Sequence, residues 1–245
     1  MTTVERRRRA AVEYSRGSFL TRLTTEQYDD LLGLGEPVAY PADHTIVEQG
    51  PSTPPLLLLH TGFVKAVRHA LKASQPAVVD VYGPGDILGA EAAHADKRAH
   101  TAFVTSRAVT ANLVPPRRFM AYLSRHPAVL WQLTTTFANR VRQREAALAY
   151  SRHEVLERLV GFLTRQQAIY GITMTDGDLI DMGLSHRDIA AAIGASEAAV
   201  DDALRRLRTD GYISTGYKKI WVRRQLSDEL RPVLRPGPTP PKALG

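Results

Sequence analysis

The chain has 245 residues, 44% of them hydrophobic and none of them cysteine. That length suits one large or two modest domains with a real core, and the missing thiols exclude disulfides, thiolate zinc sites and cysteine-held iron–sulfur clusters. The formal net charge is +7 and the pI about 9.8, which permits a polyanionic partner without naming one.

Residues 1–17 form a basic tail with Arg6–Arg9 as its sharpest cluster. Such a run reads as solvated and disordered, with a phosphate-contacting arm as the functional alternative. It has no apolar signal core, and nowhere does the chain approach the roughly 18 apolar residues needed to span a membrane. The expected location is the cytoplasm, and no membrane partner is expected. "TTEQYDDLLGLG" predicts a short helix capped at Thr25 and closed by glycine. From about Val38 to Val114, β-rich runs such as "HTIVEQG", "LLLLHTGFVKAVRHA" and "AVVDVYGPGDILG" alternate with glycine and proline. Many short strands at near-even spacing predict a β-sandwich or jelly-roll barrel. A short helix follows over Arg117–Arg125.

Residues 126–150 predict a long helix with Pro127 in its first turn. Val129, Leu133, Phe137, Val141 and Leu148 form an apolar stripe, read as a seam against a second copy of the chain. Burial against the chain's own barrel is the alternative. Arg140 and Arg144 interrupt the stripe, which argues against a plain leucine-type seam. A break near Tyr150–His153 leads to another helix ending at Gly171. Two short helices, a hairpin in "YISTGYKKIWVRR" turning at Gly216–Tyr217, and a proline-rich tail over 231–245 complete the chain.

"LSHRDIAAAIGASEAAVDDALRRL" has the grammar of a helix-turn-helix. Ser185 is an N-cap with Asp188 three residues on. Ile189, Ala190 and Ile193 make the inner face of the first helix, and Gly194 sits where the turn needs positive φ. Ser196 caps the second helix, whose core face is Val200, Leu204 and Leu207. The hairpin that follows makes it a winged helix-turn-helix.

With "VEQG", "GPGDILG", the long helix after "RHP" and this reader, the chain resembles the Crp–Fnr family of transcription regulators from about residue 18 to 225. The resemblance implies an α+β fold: a cyclic-nucleotide-binding-type β jelly roll over 18–125, a central dimerisation helix over 126–150, and a winged helix-turn-helix over 151–230. It implies a homodimer that binds double-stranded DNA, a small-molecule effector of unknown identity, and RNA polymerase as a further partner. No nucleophile–base pair or phosphate loop is legible, so no enzyme is expected.

Two departures from the family stand out. Members that bind cyclic nucleotide carry Gly-Glu, nine residues, then Arg-Ser/Thr-Ala. Here Gly89 keeps the glycine, Ala90 replaces the glutamate, and His100 replaces the arginine, followed by Thr101 and Ala102. Both ionic contacts are lost, and each charge-assisted bond is worth about 1.5–3 kcal/mol. The base-contacting positions on the long helix fall at Arg144 and Glu145. The expected pocket is therefore altered or vestigial, with cyclic nucleotide argued against and no cofactor assigned. Glu91, His94, Asp96 and His100 have metal-binding chemistry, but nothing in their spacing is diagnostic and they read as solvated loop side chains.

The second departure is in the reader. The expected DNA-facing set is Ser185, His186 and Arg187, then Ser196, Glu197, Ala198, Asp201, Asp202 and Arg205, with Lys218 and Lys219 in the wing. Arginines that would read guanine edges are absent. Pairs Asp201–Arg205 and Asp202–Arg206 suit an ordinary solvated helix. Either the carboxylates accept from cytosine while Arg205, Lys218 and Lys219 hold phosphates, or the helix no longer enters DNA and the scaffold serves as a protein-interaction module.

Overall fold

The computed structural model describes residues 14–51, 53–69, 76–90 and 98–223. The Arg6–Arg9 cluster, the proline-rich end, and Glu91, His94 and Asp96 lie outside the described residues. No described helix is long and apolar enough to cross a membrane.

A 3₁₀ turn, Leu20–Arg22, and helix α1, Thr25–Gly33, precede the strands. The cap of α1 is Thr24 rather than Thr25: its side chain accepts from Gln27, whose own side chain accepts from the Thr24 amide. Eight strands follow: β1 Glu36–Tyr40, β2 Thr45–Val47, β3 Leu56–Thr61, β4 Val64–Arg68, β5 Ala77–Tyr82, β6 Ile87–Leu88, β7 Ala102–Thr105 and β8 Val109–Val114. They make two antiparallel four-stranded sheets, ordered β1-β8-β3-β6 and β2-β7-β4-β5.

The run Leu56–Leu59 explains the layering. Successive side chains on a strand face opposite ways. Leu57 and Leu59 enter the sandwich core with Val64, Tyr82, Phe103 and Ala111. Leu56 and Leu58 face outward, under a helical layer that includes Leu31, Phe119 and Leu123. Four leucines in a row fit a strand covered on both faces. That helical layer contains α1, α2 (Pro116–Arg125) and the first turns of α3 (Pro127–Ala149).

On α3 the expected apolar stripe is split. Val129 and Leu133 are fully buried against the barrel and α2, and Phe137 packs beside them. Val141 and Leu148 are exposed at 52% and 69%. The reason is helical geometry: each four-residue step advances about 40° around the axis, so Val141 lies about 120° from Val129. The five residues never shared one face.

After a 3₁₀ turn, Tyr150–Arg152, the C-terminal unit contains α4 (Val155–Tyr170), β9 (Ile172–Met174), β10 (Gly177–Ile180), α5 (His186–Ile193), α6 (Glu197–Thr209), β11 (Ile213–Gly216) and β12 (Lys219–Arg223). Its sheet runs β11-β12-β10-β9. The β9–β10 hairpin has no counterpart in the sequence reading. The β11–β12 turn is Tyr217–Lys218, one residue later than expected, with Gly216 paired to Lys219 and Lys218 at φ 54°.

This unit is docked on the β4–β5–β7 face of the barrel. One apolar cluster crosses the junction, joining Val67, Val78, Val81 and Ala102 to Leu163, Ile189 and Leu204. Ser106 Oγ donates to Met182 O at 2.6 Å, and Tyr170 Oη donates to Val81 O at 2.8 Å. Gly183 has φ 72°, and a Cβ there would lie 2.2 Å from Ser106 O.

Candidate nucleic-acid interface

The reader is built by local chemistry. Ser185 caps α5: its Oγ accepts from the Asp188 amide at 3.1 Å, and the Asp188 carboxylate accepts from the Ser185 amide at 2.9 Å. Gly194 closes α5 in the left-handed region at φ 65°, which a side chain would disfavour. Arg158 from α4 braces this turn, donating through Nη1 to Ile193 O and Gly194 O at 2.8 and 2.9 Å. Ser196 caps α6 by accepting from Ala199 N at 3.2 Å. Val200, Leu204 and Leu207 are buried, as their spacing predicts.

The expected contact residues divide into three groups. Glu197, Ala198, Asp202 and Arg205 form an open face on α6, with Arg187 and Ser196 exposed nearby. His186 Nδ1 and Asp201 Oδ1 are 2.5 Å apart and bridge α5 to α6. Asp201 therefore holds the reader together instead of pairing with Arg205. Arg205 binds Asp202 at 2.6 Å, one residue short of the expected i,i+4 pattern. Arg206 and Arg208 add positive charge at the exposed end of α6.

The third group is the wing, whose lysines are engaged by carboxylates. Lys218 lies 3.4 Å from Asp43 of the barrel. Lys219 lies 2.9 Å from Asp181. Arg107 of the barrel also binds Asp181 and donates to Lys218 O at 3.2 Å. On the other side, Lys65 of β4 donates to Asp188 at 2.6 Å. Burial works to raise the Asp188 carboxyl, but the hydrogen bonds from Lys65 and Ser185 outweigh it and hold the group below its ordinary range. Lys65, Arg107 and Asp43 are far from the reader in sequence, so no local pattern marks them.

A Crp-like helix-turn-helix domain model matches residues 157–226. Two curated relatives are called global nitrogen regulator: one from Synechocystis sp., 35% identical over 101 residues, covering 41% of this chain and 45% of that protein, and one from Nostoc sp., 32% identical over 106 residues, covering 43% and 48%. The chain thus spans about half the length of the curated relatives it matches. Among solved structures, a CooA mutant from Carboxydothermus hydrogenoformans aligns with a TM-score of 0.69 at 15% identity, over 91% of this chain and 98% of that one. FixK2 from Bradyrhizobium japonicum gives 0.69 at 19% identity, over 84% and 99%. The fold is that of the Crp–Fnr regulators, and its reader is Crp-like.

In this Crp–Fnr-type barrel the cassette residues do not gather into one site. Gly89 has φ 78°, and a Cβ there would lie 2.1 Å from Pro55 O, so its glycine is required by the backbone. Ala90 is fully buried in the apolar layer with Leu56, Leu58 and Phe119, where a glutamate would lose its hydration. His100 is exposed, Thr101 half-buried, and Ala102 belongs to the junction cluster. Arg144 is bound to Asp80 of β5 at 2.7 Å, and Glu145 is exposed. Of that predicted set, only Arg144 lines the cavity beside the long helix.

Proposed function

We propose that this chain is a homodimeric, sequence-specific DNA-binding transcription regulator with a vestigial cyclic-nucleotide pocket. The observation that carries the reading is the Crp-like helix-turn-helix with its α6 face open and its wing alongside. In the docked arrangement Lys218 is taken up by Asp43 of the barrel, while Lys219 pairs with Asp181 of its own unit. This is the non-binding geometry; DNA engagement requires the reader to leave the barrel face.

The dimer seam is the solvent side of α3. Trp131, Thr134, Ala138, Val141, Glu145 and Leu148 are all exposed and spaced alternately three and four residues apart. That is the spacing of a left-handed helix pair. A polar Glu145 within it would fix register at some cost in stability. Regulation through RNA polymerase and a small-molecule effector belongs to the same reading.

The test is a binding titration against the DNA upstream of the protein's own coding sequence, with random duplex as competitor, over a range of salt. Specific readout predicts tighter binding to the upstream fragment at every salt concentration. Equal binding that fades with salt for both duplexes overturns it and leaves the protein-interaction reading. Calorimetry with cAMP should show no micromolar binding; such binding would overturn the vestigial pocket.

A further inference from the structure

A cavity of about 110 Å³ lies where β5, α3 and α4 meet. Its charged lining is unequal. Among the described residues, Arg16, Arg140, Arg144 and Arg165 face it, against Asp80 and Asp86. The two aspartates are already engaged. Arg140 binds Asp80 at 3.0 Å and Asp86 at 2.8 Å, and Arg144 binds Asp80 at 2.7 Å. Asp86 also accepts from Gly83 N at 2.8 Å and from Tyr170 Oη at 3.1 Å.

Arg16 and Arg165 have no carboxylate partner among the described residues. The Arg16 guanidinium donates to Thr173 Oγ1 at 3.5 Å. Arg165 rests over the Phe162 ring, 5.7 Å from its centroid, and makes no ion pair among the described residues. Its burial lowers the guanidinium from its ordinary value, with Asp80 only partly opposing. Beside it, Gln166 is 6% exposed and its amide makes no hydrogen bond among the described residues. Arg16 is exposed and Arg165 half-buried; no polar atom of Arg165 or Gln166 is both fully buried and unpaired, so their donors stay open to the cavity they line. Here a fork of donors and a surplus of two positive charges converge on one space.

We propose that this cavity binds a compact oxyanion carrying about two negative charges, the size of phosphate or sulfate, held by Arg165, Arg16 and the Gln166 amide. Guanidinium forks match the spacing of oxyanion oxygens. Size supports a small ligand: a cavity of about 150 Å³ just admits benzene, and this one is smaller. Its walls come from the barrel, the long helix and the C-terminal unit. An anion there touches all three and stabilises the docked arrangement. Its binding does not depend on whether α6 reads DNA.

The experiment is calorimetry on the full chain, without DNA, using inorganic phosphate and sulfate against chloride at equal ionic strength. Saturable one-site binding of either oxyanion is expected. Arg165→Gln should weaken it at least tenfold. Arg165→Lys, which keeps the charge but not the fork, should lose less and guards against a variant that misfolds. Arg125→Gln, at the far end of α2, should bind as the unaltered chain does. Two results overturn the proposal: no saturable binding above chloride, or a folded Arg165→Gln protein that binds undiminished.

Discussion

Asp188 shows how one side chain serves two levels of structure. Its carboxylate closes the α5 capping box by accepting from the Ser185 amide and hydroxyl, at 2.9 and 2.7 Å. The same carboxylate accepts from Lys65 of the barrel at 2.6 Å. The capping half was legible from "SHRD", because both partners lie within one turn. The Lys65 half was not, because 123 residues separate the two. Its folded acid constant lies below the ordinary value of about 3.9. A depressed carboxyl adds stability above its unfolded value and loses it as pH falls through the folded value. Asp188→Asn should therefore melt below the unaltered protein by a constant margin above about pH 5. The margin should shrink as pH drops below the ordinary carboxylate range. A margin independent of pH down to acid unfolding would show that the carboxylate charge contributes nothing to docking.

At the scale of elements, α3 is read correctly as a helix and wrongly as a single seam. The strand pattern, the long helix, the reader helices and the wing all rest on local periodicity and turn chemistry, and these were legible. Which face of α3 meets the barrel depends on tertiary packing, which no stripe reports. The β9–β10 hairpin was missed because its strands are three and four residues long and β9 is wholly exposed. So the inner and outer faces of α3 make separate predictions. Leu133→Ala empties a fully buried site. It should cost about 2–5 kcal/mol of stability and leave the dimer intact once folded. Val141→Asp with Leu148→Asp places charge on the outer seam, where both residues are exposed in the single chain. Sedimentation should then report monomer while the melting of the separated chain changes little. A folded dimer carrying both aspartates would move the interface off this face.

Across the whole molecule, the proposed function sets docking and DNA reading in competition for a wing cation, Lys218. Lys218 meets Asp43 of the barrel and Lys219 meets Asp181 of its own unit, and the proposed function asks both to meet phosphates. The junction is held by an apolar cluster as well as by Lys218–Asp43, Arg107–Asp181 and Lys65–Asp188, so removing the first two pairs should bias the equilibrium without dissolving the interface. Partly exposed ion pairs are worth about 0.2–1 kcal/mol each. Asp43→Asn with Asp181→Asn should therefore raise DNA affinity roughly twofold to thirtyfold at fixed salt, the range that two such pairs span. Asp181→Asn also breaks the Arg107 pair across the junction. Adding Lys218→Gln and Lys219→Gln to the same chain should reduce the gain by the share that the freed lysines supply, and fluorescence anisotropy on the upstream duplex measures both. A gain undiminished by loss of the lysines would mean that the aspartates act by holding the reader docked or by repelling DNA, and not by occupying the wing cations. No gain would mean that the wing contacts do not compete with DNA, and the docked arrangement would then have to restrain the reader through its apolar cluster and the Lys65–Asp188 pair.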